Sequence, residues 1–90
     1  MEIKHDKENQ RFYTIVEGRE AYLQYLKIDS ASLDYYKTYV PSELRGKGIA
    51  GEIVESALNY ARENNLKIVP TCSYVETFIE RHPDFNDLVK

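Results

Sequence analysis

The chain has no tryptophan, one cysteine, one methionine, three prolines and four glycines among its 90 residues. Cys72 alone can close no internal disulfide, which points to a reducing compartment and an expected cytoplasmic location. Two histidines, His5 and His82, lie far from Cys72 and from each other, so no metal site is expected. No apolar run approaches the ~20 residues of a membrane-spanning helix, and no membrane partner is expected. Met1 to Lys7 lacks the apolar centre of a secretory signal. An excess of positive charge is also missing: twelve Lys and Arg face fifteen Asp and Glu, for a net charge of −3. Nucleic acids are held by clustered cations, so they are not an expected partner. Any anionic ligand would need a local arrangement that overrides this mildly hostile field.

What is present is globular material. Hydrophobic residues make up 42% and charged residues 30%, which excludes a mostly disordered chain. The length fits one domain over residues 1–90, a monomer or weak dimer with a radius of gyration of about 12 Å.

The first forty residues read as strands. Arg11 to Glu17 is β-branched and aromatic, Glu17-Gly18-Arg19-Glu20 is a turn, and Ala21 to Ile28 returns antiparallel. Met1 to Lys7 is a candidate edge strand. Leu33 to Val40 is a further strand, stopped by Pro41. The pattern then changes. Apolar residues at 49, 50, 53, 54, 57, 58 and 61 follow the helical period, and Asn64-Asn65 ends that helix. Lys67 to Pro70 is a short buried strand. Ser73, with Glu76 three residues on, predicts a capping box for a helix to Arg81. His82-Pro83 breaks it, and Asp87 to Val89 is a last turn or a frayed end. The fold class is therefore α+β: an antiparallel N-terminal meander, a parallel β-α-β unit in a mixed sheet, and a short C-terminal helix.

The chemically loaded segment joins the Leu33–Val40 strand to the long helix, at Arg45-Gly46-Lys47-Gly48-Ile49-Ala50-Gly51. Glycines and an alanine at a helix start leave the backbone uncovered. The first N–H groups have no intrahelical acceptor and carry the positive end of the helix dipole, so the turn favours an anion, above all phosphate. Arg45 and Lys47 add cations. The plain alternative is a turn whose glycines serve packing. Gly46 to Gly51 also spells the dinucleotide fingerprint, but Pro41 to Arg45 intervene after the strand and position 71, twenty further on, is threonine rather than acidic. The Walker pattern is absent.

Arg45-Gly46-Lys47-Gly48-Ile49-Ala50 does fit R-x-x-G-x-A. It resembles the Q/R-x-x-G-x-G/A pyrophosphate motif of the GNAT superfamily of acetyl-CoA-dependent N-acetyltransferases. Thr38-Tyr39-Val40-Pro41, Pro70 to Val75 and Arg81-His82-Pro83 extend the resemblance to minimal, stand-alone members, from about Phe12 to Val89. The resemblance implies a GNAT-like fold and acetyl-CoA (coenzyme A) as co-substrate. The implied activity is acetyl transfer to an unidentified amine, whether on a small molecule, a peptide or a protein. Amides from Arg45 through Ala50, with Gly51 and the Lys47 ammonium beside them, would hold the pyrophosphate. The backbone of Tyr39 and Val40 would flank the pantetheine arm in a gap between strands, with Cys72, Ser73 and Tyr74 at the sulfur end. A backbone N–H near Tyr39 would polarise the thioester carbonyl.

Two catalytic candidates follow. Tyr74 stands near the place of the family's acid, or else packs beside the ligand. Cys72, preceding a helix start, is either a nucleophile that carries the acetyl group or a small hydrophobe closing its strand. Tyr36, Lys37, Thr38 and Tyr39 include no carboxylate to act as base. That gap motivates the alternative of a non-catalytic acyl-CoA binding or sensing module.

Overall fold

A computed structural model describes all 90 residues. Its radius of gyration is 12.3 Å. Five strands form one sheet in chain order, β1 (Lys4–Asp6), β2 (Arg11–Val16), β3 (Arg19–Asp29), β4 (Ser32–Tyr39) and β5 (Lys67–Val69). The first four are antiparallel and β4–β5 is parallel, as a crossover through a helix requires. This is the expected mixed sheet. The β2–β3 connection is the tightest possible: Glu17 and Gly18 both take positive φ, 53° and 76°, the hairpin geometry whose twist matches the strands.

Helix α1 (Ile49–Glu63) lays Ile53, Val54, Ala57, Leu58 and Ala61, all fully buried, onto one sheet face. Each large aliphatic side chain so buried contributes about 1.5–3 kcal/mol. The helix stops at Asn64, and Asn65 takes the left-handed conformation (φ 57°) that turns the chain back toward β5. Helix α2 (Ser73–Arg81) packs on the same side as α1: a side chain at Gly51 would meet the Tyr74 hydroxyl at 3.5 Å and Phe78 at 3.8 Å. Phe12, Leu23, Tyr35 and Ile68 meet these helices in one continuous core of 18 buried residues. Tyr35 is the largest of them. Its hydroxyl donates to the Ala57 carbonyl at 2.6 Å, and burial pushes the phenol pKa above its ordinary value.

Two expectations need correction. Ser73 is not the cap of α2; Cys72 is, without a side-chain cap bond, and Ser73 is the exposed first helical residue. The C-terminus is not frayed. Pro83–Leu88 forms a 3-10 turn, Val89 bridges Ile68, and Lys90 N–H donates to the Ile68 carbonyl at 2.9 Å. Arg62 fixes that segment by donating to both Asp87 oxygens and to the Asp84 carbonyl.

Tyr35→Phe removes the one hydrogen bond that ties β4 to the middle of α1. It should cost about 1 kcal/mol, read as a lower urea midpoint at unchanged slope. An unchanged midpoint would show that the hydroxyl contributes nothing.

Candidate functional site

Strand β4 outruns β5. Pairing covers only Ser32–Lys67, Leu33–Ile68 and Asp34–Val69, followed by one more bond from Cys72 N–H to the Tyr35 carbonyl at 3.0 Å. Two local causes end it. Pro70 has no N–H to donate. On the other side of β4, Gln24 pairs with Lys37 but Tyr25 with Tyr35, so Tyr36 is an extra residue, and such a bulge bends its strand. The stretch Tyr36 to Tyr39 therefore has no strand partner on its β5 side, and a gap opens there. Across it the Cys72 thiol meets the Thr38 hydroxyl, with sulfur and oxygen 3.4 Å apart.

At the far end of β4 the chain makes a 3-10 turn (Ser42–Leu44) pinned by buried Leu44. Gly46 and Gly48 then take φ of 82° and 76°, and α1 begins. No acceptor receives the backbone N–H groups of Gly46, Lys47, Gly48, Ile49, Ala50 or Gly51. The next two donors are satisfied, Glu52 by the Gly48 carbonyl at 3.2 Å and Ile53 inside the helix. A methyl built on Gly46 or Gly48 would meet no atom within 4 Å, so the backbone faces open space there. A cleft of about 200 Å³ lies against these residues, walled by Val40, Leu44, Ile49 and Tyr74. The turn is a fitting anion cradle by both charge and access.

Some expected members are arranged differently. The Arg45 amide is spent inside the 3-10 turn, donating to the Ser42 carbonyl, and its guanidinium folds back to the Val40 carbonyl at 3.3 Å. The cradle thus begins at Gly46. Lys47 is not free either, because its ammonium is 2.7 Å from Glu17 on the β2–β3 turn. Gly51 serves packing, since the Tyr74 ring and Phe78 cover it. The Tyr74 hydroxyl accordingly sits over the first turn of α1. Tyr39 and Val40 lie on opposite faces: Val40 lines the cleft, whereas the Tyr39 ring packs tilted against Tyr22, 5.5 Å between centroids, on the face away from the helices. Ser73 is exposed and makes no contact with the cleft. His82 holds the end of α2, its Nδ1 2.8 Å from the Phe78 carbonyl.

A larger depression of about 410 Å³ lies between β1 and α1. Glu52, Glu55 and Glu63 line it, which makes it a poor place for phosphate.

The overall fold and most of the chain are matched by comparison. A family model described as GCN5-related N-acetyl-transferase covers residues 11–88. The chain belongs to this family. Among curated relatives of this N-acetyltransferase-family chain, Protein NATD1 of Mus musculus is 30% identical over 83 residues, covering 90% of this chain and 76% of that one. Protein NATD1 of Xenopus tropicalis is 29% identical over 83 residues, with 90% and 76% covered. A GCN5-like protein from Staphylococcus aureus, solved in solution by NMR, superposes with a TM-score of 0.77 at 28% identity, covering 99% of this chain and 87% of that one.

One candidate residue escaped the sequence reading. Asp34, opposite Val69, is the last residue of β4 paired with β5, and it lies on the face opposite Leu33 and Tyr35. Its Oδ1 is shielded from solvent and has no hydrogen-bond partner. A buried orphan acceptor is rare enough to demand a reason, and catalysis is one. Strand alternation from Tyr35 would have found it, had the search for a carboxylate begun before the bulge.

The Lys47 ammonium holds the Glu17 carboxyl below its ordinary pKa, first by hydrogen bonding and then by charge. A depressed folded pKa favours the ion pair above the unfolded value of about 4.3, and the pair is lost as pH falls through the folded one. Carbon-detected NMR of the Glu17 carboxyl should show this low midpoint, and Lys47→Met should return it to the ordinary range. The same midpoint in both proteins would mean that the pair does not form.

Proposed function

We propose that this chain binds acetyl-CoA and transfers the acetyl group to an amine. The observation that carries the reading is the run of unpartnered amides from Gly46 to Gly51, which opens onto a cleft at the start of α1. The fit to a diphosphate is physical: several converging N–H donors, a helix dipole and no Cβ in the way, in a chain whose net charge would otherwise repel an anion.

The thioester supplies the activated acetyl group. The chain's own residues supply position and protons. Gly46, Gly48 and their neighbours hold the diphosphate, with Tyr74 as a side wall whose hydroxyl can reach a phosphate oxygen. The unpaired edge of β4 runs beside the pantetheine arm and offers those N–H donors between Tyr36 and Tyr39 that point away from β3 to the carbonyl oxygen as negative charge develops on it. Asp34 accepts the proton that the amine loses as its nitrogen bonds to the acetyl carbon, and the carbon–sulfur bond breaks with its electron pair leaving on sulfur as the coenzyme A thiolate. Cys72, half-buried and bonded to Thr38, lines the sulfur end as a packing and aligning group. A thiol already engaged across the gap supports that role over a covalent carrier.

Gly18 provides a control that separates binding from backbone strain. Its φ is 76°, equal to that of Gly48, and a methyl on either residue meets no atom. Alanine at each position should cost a similar ~1 kcal/mol of stability through left-handed strain. Only Gly48→Ala should weaken coenzyme A binding by calorimetry, about tenfold or more. Equal affinities in the two variants would remove the cradle.

Asp34→Asn should leave coenzyme A affinity unchanged and lower thiol release from acetyl-CoA with an amine panel by about 10²–10⁴-fold. Undiminished turnover would remove Asp34 as base, and binding without turnover in the parent protein would favour a sensing module.

A further inference from the structure

Glu17 occupies a position that suits other residues better. Three non-glycine residues take positive φ, Gln10, Glu17 and Asn65, and Glu17 is the charged one, at φ 53°. The first place in this two-residue hairpin turn favours asparagine, aspartate or glycine, because a larger side chain crowds the backbone there. The glutamate carboxylate does nothing for the hairpin. It leaves the turn and accepts from the Lys47 ammonium at 2.7 Å, thirty positions along the chain. A residue held in a costly conformation, with its charge spent elsewhere, points to a role outside its own turn.

That contact reaches into the anion cradle. Lys47 lies between Gly46 and Gly48, and its backbone N–H is among those without an acceptor. Of the two cations in this turn, Arg45 folds back onto the Val40 carbonyl, which leaves Lys47 as the one placed to swing toward an anion on the amides. The ion pair is loosely held: the Lys47 side chain is 46% exposed and that of Glu17 65%, and a lysine stem is flexible. Arg19 and Glu43, 3.6 Å apart, make a second pair of opposite sense between the same two turns. A diphosphate on the amides would bring negative charge beside Glu17, and two anions drawn to one ammonium repel each other.

We propose that Glu17 is a displaceable counter-anion of the cradle, competing with the coenzyme diphosphate for Lys47, so that the β2–β3 turn sets coenzyme affinity. The inference rests on the acetyl-CoA reading of the cradle and adds a regulation of that same site. Glu17 touches no reacting atom. It is a positioning residue that acts through Lys47, while the Arg19–Glu43 pair keeps the hairpin turn beside the cradle as the lysine changes partner.

Calorimetry with coenzyme A at low salt, where exposed pairs are least screened, tests the competition. Glu17→Gln should tighten binding about three- to fivefold, the range of one exposed ion pair. In a Lys47→Met background the same substitution should change affinity by less than about twofold, a non-additivity that a purely structural role would not produce. Glu17→Asn, which suits the left-handed position, should bind as tightly as Glu17→Gln and unfold at a urea midpoint no lower than the parent's. Amide resonances of Glu17 and Gly18 should move with those of Gly46 and Gly48 as the parent is titrated, and stay still in Lys47→Met. Unchanged or weaker binding by Glu17→Gln, an equal gain in both backgrounds, still resonances in the parent, or a lowered midpoint in Glu17→Asn would overturn the proposal. A parent that binds no coenzyme A removes the cradle itself; a parent that binds it as tightly as Glu17→Gln does removes the competition alone.

Discussion

The parallel pairing of β4 with β5 fails after a few residues, and the site depends on that failure. Were the two strands paired along their length, the edge of β4 would be satisfied by β5 and no gap would exist. Pro70 removes a donor at the point where pairing stops, and the extra residue Tyr36 bends β4 away. The exposed edge is expensive in an ordinary sheet, where unpaired backbone groups invite aggregation. Here it is short, lies between two faces of the molecule and ends at the α1 cradle.

Rigid surroundings hold this opening in place. The Tyr35 hydroxyl ties β4 to α1 just before the bulge, and Leu44 anchors the turn just before the glycines. The β2–β3 turn adds an outer clasp through Glu17 to Lys47 and Arg19 to Glu43, both exposed ion pairs worth little in stability. Their consequence is local: Lys47 is directed by Glu17, and the neutral backbone amides, not a free lysine, supply most of the cradle's attraction for an anion.

Much of this was legible in the residues. The long helix was readable because seven apolar positions repeat at one period, and the hairpin because Glu17-Gly18 is a turn pair between two β-rich runs. The cradle was readable because glycines at a helix start have a direct physical meaning. What stayed hidden depends on tertiary register. The bulge at Tyr36 shows only when β3 and β4 are aligned, and it decides that Lys37 and Tyr39 lie on the face opposite Tyr35. Nor does sequence show that Arg45 spends its amide in the Ser42–Leu44 turn, that Gly51 is needed for α2 to approach, or that Lys47 meets a residue thirty positions away. The capping box at Ser73 failed by one residue, because Cys72 N–H is held by the Tyr35 carbonyl and the helix starts from there.

Backbone amides that grip a diphosphate should report it directly. In a nitrogen-15 amide spectrum titrated with coenzyme A, the resonances of Gly46, Gly48, Ile49 and Ala50 should move together with those of Tyr36 to Tyr39, along one saturating curve. Inorganic pyrophosphate should move the first group alone. A coenzyme A titration that shifts only residues of the acidic groove, or none of the glycine-turn amides, would contradict the account.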